Sequence, residues 1–178
     1  IKHRYCIETH IGSYADYEVQ ALLLGVDSVV HIGATSLVGP SVLDPSKYYN
    51  NNVASTLELL DACKNQNVKR FVFASSAATY GEPEEDVCRE SEIHEPVNPY
   101  GWSKRMTEIM LKDYAKAYGI NSVSLRFFNV AGADLDGEFG QEKEATHIIA
   151  KLMEMTMDNK PFTLNGNDFD TYDGTCVR

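Results

Sequence analysis

Tyr100 and Lys104 are the residues of this sequence best suited to chemistry. A spacing of four places both on one face of a helix. An ammonium held beside a phenol favours the phenolate, and a phenolate can take the proton of a substrate hydroxyl. Ten tyrosines and ten lysines in 178 residues produce this spacing about 0.6 times by chance, so the pair gains weight only from its surroundings. Pro99 opens the helix that carries it, one loop after Ser75-Ser76 at a strand end. Ser76 can hydrogen-bond the hydroxyl that Tyr100 would deprotonate, or it can cap a turn, as serines commonly do. A third candidate is Phe127-Phe128-Asn129-Val130-Ala131-Gly132. An amide at a strand's carboxyl end can hold a phosphate or a sugar hydroxyl, and the same Asn can simply make a turn. His3, His10, His31, His94 and His147 show neither HxxxH nor HExxH spacing, so no metal site is expected and each reads as a surface or turn residue. Trp102 reads as packing rather than as a stacking platform.

The elements that must position these residues alternate between helix and strand. Residues 13–24 read as a helix, with Ser13 and Asp16 as cap chemistry, Leu22 to Leu24 as its apolar face and Gly25 as a stop signal. Asp27 to Ile32 reads as a short buried-type strand running into the small-residue loop Gly33-Ala34-Thr35-Ser36. Residues 46–64 form a second helix, with Tyr49, Val53, Leu57 and Leu60 at helical spacing. Val68 to Ala74 is the next strand. Residues 82–95 hold seven acids against one arginine and read as a solvated loop. A helix follows from Pro99 to Tyr118, stopped by Gly119, then a strand from Asn121 to Phe128, a helix over 143–158 and a short strand from Phe162 to Leu164. Strands separated by helices mean βαβ units and a parallel sheet covered on both faces. Ligands of such sheets sit at the carboxyl ends of the strands, here just after Ile32, Ala74 and Phe128.

Composition narrows the function classes. The chain carries 26 Asp and Glu against 16 Lys and Arg, a net charge of -10, which argues against nucleic acid as a partner. The apolar fraction of 43% is enough for a folded core, and no stretch reaches the length of a membrane span. Four scattered cysteines without a CxxC point to a reduced, cytoplasmic protein. No G-x-G-x-x-G is present, since Gly33 and Gly39 are too far apart for it.

Taken in order, several segments resemble the extended short-chain dehydrogenase/reductase family of NAD-dependent nucleotide-sugar enzymes. They are SLVGPSV (Ser36 to Val42), YYNNNV (Tyr48 to Val53), FASSAATYG (Phe73 to Gly81), PYGWSK (Pro99 to Lys104), RFFNVAGAD (Arg126 to Asp134), ATH (Ala145 to His147) and GNDFDTYDGTCVR (Gly166 to Arg178). The resemblance covers the chain from about Ser28 to Arg178. The YxxxK and the serine belong to the whole superfamily, whereas SLVG, FFNVAGAD and DGTCVR are more specific to epimerases of UDP-hexoses.

The resemblance implies a Rossmann-type parallel sheet with helices on both faces. Residues 1–132 would be a partial NAD-binding domain lacking the N-terminal glycine-rich βαβ unit, and 133–178 the start of a nucleotide-sugar-binding region. It implies Tyr100 as the catalytic base, Lys104 as its electrostatic partner and a ligand of the nicotinamide ribose, and Ser76 as the third catalytic member. Ile32, Gly33, Ala34, Asn52, Ser75, Tyr100, Lys104 and Phe128 would contact NAD. Ser76, Asn129, His147, Ile148 and Arg178 would contact a UDP-sugar. The implied reaction interconverts UDP-galactose and UDP-glucose by transient oxidation at C4, with the protein supplying placement and proton handling. It also implies a homodimer through helices 46–64 and 99–118. At about His10 the family has an adenine-contacting Asp, and this sequence has no acid there.

Two other readings belong beside this one. One is a nucleotide-sugar 4,6-dehydratase or decarboxylase of the same family; dehydratases place an Asp-Glu pair after the hydroxyl residue at position 76 to eliminate water, and this chain has Ala77-Ala78 there. A binding module or inactive remnant would keep the fold without the chemistry.

Overall fold

The computed structural model describes residues 7–83, 87–140, 146–164 and 166–175. Its first compact unit ends at Phe128 and its second begins at Asn129, a few residues before the boundary expected after Gly132.

The first unit is built on three parallel strands, β1 (Ser28–His31), β2 (Arg70–Ser76) and β3 (Asn121–Phe127), in the order β1-β2-β3. Val29 pairs with Phe71, His31 with Phe73, and Ser75 with Arg126. Side chains alternate across a strand, so this register sorts the sheet into two faces. One face carries Val29, His31, Phe71, Phe73, Ser75 and Arg126; the other carries Val30, Val72, Ala74, Ser76, Val123, Leu125 and Phe127.

Helices α1 (Val19–Leu22), α2 (Val38–Leu43), α3 (Pro45–Tyr48), α4 (Ser55–Asn65) and α5 (Pro99–Tyr118) complete the unit. The core forms where Leu59, Leu60 and Cys63 of α4 and Leu111 of α5 close over Phe71 and Phe73, joined by Leu23, Val68 and Ile120. Burial of such side chains, at roughly 1.5–3 kcal/mol each, is what holds the helices to the sheet. The parallel sheet with packed helices follows the expectation, but within the first unit this helical core covers only the Phe71 face. Val30, Val123, Leu125 and Phe127 on the opposite face are exposed. The fully buried character expected of β1 is therefore met at His31 and not at Val30.

Local chemistry explains the element ends. Asn98 caps α5, its Oδ1 accepting the Gly101 N–H at 2.8 Å, with Pro99 in the first turn. Gly119 closes α5 in the left-handed conformation at φ 72°, and its N–H returns to the Ala115 carbonyl. The helix read over 46–64 is present as α3 and α4 joined by a π-helical turn at Tyr49–Ala54. Only Val19–Leu22 of the stretch 13–24 is helical; the preceding residues form turns, with Asp16 accepting from the Ser13 N–H. β2 runs two residues further than expected, so Ser75 and Ser76 lie inside it.

The second unit holds α6 (Ile148–Met157); of the helix expected over 143–158, residues 146 and 147 are not helical and 143–145 lie outside the described residues. Residues 161–164 are irregular and form no strand, since among the described residues they find no partner to pair with.

Gly101 sits where α5 meets the turn after β2. A Cβ there would stand 2.5 Å from the Ala78 carbonyl oxygen and 3.0 Å from Pro96 Cβ. Alanine normally favours a helix over glycine by about 1 kcal/mol. Here the backbone clash outweighs that gain: Gly101→Ala is expected to destabilise the fold by roughly 1–3 kcal/mol in urea unfolding, and a stabilised variant would overturn this packing account.

Candidate active site

The carboxyl ends of β1 and β2 and the first turns of α5 converge, and most of the candidate residues lie there. Lys104 is the centre. Its side chain is driven inward from the second turn of α5 and is only 4% exposed. The ammonium donates to the Ala74 carbonyl at 2.8 Å, lies 4.8 Å from the centre of the Phe73 ring and 5.9 Å from that of Tyr100. No carboxylate among the described residues pairs with it. Burial pushes the Lys104 ammonium down to about 8. The expected neighbourhood of phenol and ammonium is thus formed, with aromatic faces and a carbonyl as the cation's surroundings.

Tyr100 stands in the first turn of α5, half-buried, its ring edge-on to Tyr48 with centroids 6.4 Å apart. Tyr48 is fixed in turn: its hydroxyl lies 2.6 Å from the Ser36 carbonyl and 2.8 Å from that of Leu37. Leu37 takes a positive φ of 80°, an uncommon conformation for leucine, and α2 begins at the next residue. Ser76 ends β2 in extended conformation, and its Oγ accepts the Ala78 N–H at 3.2 Å. The turn-capping role open to it in the sequence is therefore occupied, while its hydroxyl proton is still available to donate.

Asn52 is buried within the π-helical turn. Its amide donates to the Thr35 carbonyl and to Ser103 Oγ, both at 2.9 Å, and accepts from the Thr35 N–H at 2.7 Å and from Asn51 at 3.3 Å. Both donors and both lone pairs are used, so the side chain pins the Ile32–Thr35 loop and has no polar capacity left for a ligand. π-helical turns are rare and frequently occur at functional sites. Ile32 and Gly33 are exposed at the end of β1, and Ala34 is half-buried beside them.

Ser75 points to the opposite face from Ser76. It is buried and donates to Glu108 at 2.7 Å, which commits its side chain to the helix interface. Glu108 also receives Arg126 through Nε at 2.9 Å and Nη2 at 3.0 Å, and Arg105 at 3.2 Å. Desolvation would raise its pKa, but these partners hold the carboxyl below the usual range. Arg126 in turn donates to the Tyr80 hydroxyl at 3.0 Å. Phe128 is exposed, its ring 6.3 Å from that of Tyr80. Asn129, His147 and Ile148 belong to the second unit, where His147 precedes α6 and Ile148 starts it. Arg178 lies outside the described residues.

Sequence reasoning missed Glu108, Tyr48 and His31. Glu108 was visible only as an acid one turn after Lys104, and Tyr48 and Arg126 only as members of longer motifs. His31 corrects the expectation of a surface or turn histidine: it is 5% exposed, bonded to Thr56 at 3.1 Å and packed against Tyr14, Phe71 and Phe73. Burial, reinforced by the Lys104 charge, pushes His31 down to about 4, so it is a neutral packing residue at ordinary pH. Among the described residues no cluster of His, Cys, Asp and Glu could hold a metal, and no helix is long and apolar enough to cross a membrane.

The buried ammonium makes a pH-dependent prediction. Folded Lys104 releases its proton near pH 8, whereas the unfolded chain keeps it to about 10.4. Between those values the unfolded state binds more protons, so stability rises with pH. Lys104→Met lacks this term. The wild type should therefore gain roughly 1–3 kcal/mol on the variant between pH 7 and pH 10 in urea unfolding. A difference independent of pH would mean that the ammonium is solvated.

Residues 3–178 match the NAD dependent epimerase/dehydratase family. The UDP-glucose 4-epimerase of Azospirillum brasilense is 46% identical over 155 residues, which are 86% of this chain and 44% of that protein. The crystal structure of UDP-glucose 4-epimerase from Brucella ovis in complex with NAD aligns with a TM-score of 0.85 at 42% identity, covering 94% of this chain and 53% of that one. The enzyme from Bifidobacterium longum in complex with NAD+ and UDP gives 0.84 at 34% identity, over 93% and 52% of the two chains. The chain spans about half the length of the curated relatives it matches. With a family match running almost end to end over the YxxxK helix and the strand ends that face it, the chain belongs to the NAD dependent epimerase/dehydratase family.

Proposed function

We propose that this chain carries the proton-handling centre of a UDP-glucose 4-epimerase, acting on UDP-galactose and UDP-glucose with NAD. The observation that carries the reading is the buried Lys104 ammonium, without a carboxylate partner among the described residues, 5.9 Å from the Tyr100 ring. The similarity to UDP-glucose 4-epimerases over most of this chain supports it.

The donor set fits a nicotinamide dinucleotide. Lys104 gives one hydrogen bond to Ala74 and has two further N–H donors, which suit ribose hydroxyls. Ile32, Gly33, Ala34 and Phe128 offer the adjoining strand-end surface, and Asn52 and Ser75 shape it from behind. NAD bound there would supply reversible hydride transfer at C4 of the sugar. Tyr100 takes the proton of the 4-hydroxyl and returns it, Lys104 stabilises the phenolate, and Ser76 hydrogen-bonds the reacting oxygen. Asn129, His147, Ile148 and Arg178 are the proposed contacts for the UDP-sugar. Ala77 and Ala78 follow Ser76 in a short 3₁₀ turn and bring no acid or base to the site, which disfavours 4,6-dehydration.

Pairing of two copies through helices 46–64 and 99–118 belongs to the same proposal. Trp102, Met106 and Ile109 form an exposed apolar stripe on α5, with Leu57 exposed on α4. Ile109→Glu should lower the apparent mass in sedimentation equilibrium toward that of one chain, and an unchanged mass would exclude this stripe as the interface. A reducing, cytoplasmic setting accords with free thiols at Cys63 and Cys88.

Because these 178 residues contain no G-x-G-x-x-G, the kinetic test belongs on the product of the whole reading frame. Tyr100→Phe keeps the ring and removes the proton acceptor, so kcat for UDP-galactose conversion should fall about 10²–10⁴-fold with KM nearly constant. Ser76→Ala, which leaves the phenolate in place, should lose less. A Tyr100→Phe enzyme within about threefold of wild type would show that this phenol is not the base. No 4-keto-6-deoxy sugar should form with either enzyme.

A further inference from the structure

Two side chains one turn apart on α5 grip two successive residues of β2. Lys104 donates to the Ala74 carbonyl at 2.8 Å, and Glu108 accepts from the Ser75 hydroxyl at 2.7 Å. Positions four apart on a helix share a face, so the two bonds and the two backbones close a ring. All three polar side chains are buried: Lys104 at 4%, Ser75 at 4% and Glu108 at 7% exposure. A third element locks the ring, because the Glu108 carboxylate is held by two nitrogens of Arg126 on β3, with Arg105 on its outer side. Charge-assisted two-point contacts of this kind fix orientation as well as distance. The carboxylate neutralises Arg126 and Arg105 rather than Lys104. Glu108 thus reaches Lys104 through the strand between them.

We propose that Glu108 is a positioning residue for Lys104: by holding Ser75 it fixes the carbonyl of Ala74 where the buried ammonium docks, and so keeps that ammonium beside Tyr100. The proposal rests on the reading of Lys104 as partner of the base only for its catalytic meaning. Its physical content, that the Ser75–Glu108 bond holds Lys104 in place, stands or falls separately.

The test is amine labelling of the full chain. Acetylation of Lys104 with acetic anhydride at pH 9.5 is followed residue by residue by peptide mass spectrometry. At this pH the folded Lys104 is a neutral amine that still donates to the Ala74 carbonyl; docked and buried, it reacts only when the site opens, so its rate reports local opening. Ser75→Ala removes the bond without changing any charge, and Ser75→Thr restores a hydroxyl. Leu111→Ala, a core change outside the ring, controls for general loosening. The proposal expects Lys104 labelling to rise about threefold or more in Ser75→Ala, and to return near the wild-type rate in Ser75→Thr. The Leu111→Ala rate should stay below that of Ser75→Ala. Equal labelling in wild type and Ser75→Ala would overturn it, as would an equal rise in Ser75→Ala and Ser75→Thr, or in Leu111→Ala. Glu108→Asp keeps the charge but shortens the reach, and carries the same decision if Ser75→Ala does not fold. None of these readings depends on epimerase activity, so a failed Tyr100→Phe test and a failed labelling test are separable.

Discussion

An ammonium taken out of water is the constraint around which the first unit is arranged. Lys104 has left solvent without gaining a carboxylate partner among the described residues, a costly placement that persists only where the surroundings over-determine it. Those surroundings are the Phe73 ring and Ala74 carbonyl of β2 and the Tyr100 ring one turn back on α5. The packing of α5 on β2 brings them together, and α5 lies so close to the turn after β2 that a Cβ at position 101 would clash with the Ala78 carbonyl. The same closeness sets the phenol of Tyr100 near the carboxyl end of β2. The arrangement exchanges some stability for an electrostatic field in a place where a proton is to be moved, the usual balance at functional centres.

Much of the fold was legible in the sequence because its signals were local. Asn98-Pro99 and Gly119 mark the two ends of α5 through cap chemistry that depends on few neighbours. The strands were found as apolar runs, though the first was read as buried on both faces. That error is physical: a run such as Val29-Val30 reports apolar character, and which faces are covered depends on elements outside it. The short strand expected at Phe162 to Leu164 failed for a related reason, since a strand exists only when another strand accepts its hydrogen bonds. The π-helical turn at Tyr49–Ala54 was read as ordinary helix, because one extra residue in a turn leaves no mark on apolar periodicity.

The site was legible in part. Tyr100 and Lys104 share a helix face by simple geometry, and the structure keeps them so. Family resemblance supplied Asn52 and Ser75 as cofactor contacts, yet both side chains turn out to be spent on the protein itself, Asn52 on the loop after β1 and Ser75 on Glu108. A single sequence does not distinguish a residue that touches a ligand from one that holds the residue that does. Glu108 and His31 illustrate the reverse case. Apart from Arg105 one turn back on α5, Glu108 has its partners on other segments, 18 and 33 positions away, and His31 bonds a residue 25 positions away.

The bare side of the sheet has a practical consequence for optical assays. Val30, Val123, Leu125 and Phe127 make a contiguous apolar surface that is open to solvent while the strands are fully formed. Dyes that brighten on contact with such surfaces would bind the folded chain as readily as a loosened one. Their signal would start high before any heating, and the core around Phe71 and Phe73 exposed on loosening would stand out less against it. Backbone circular dichroism, blind to that surface, is the sounder reporter for this molecule.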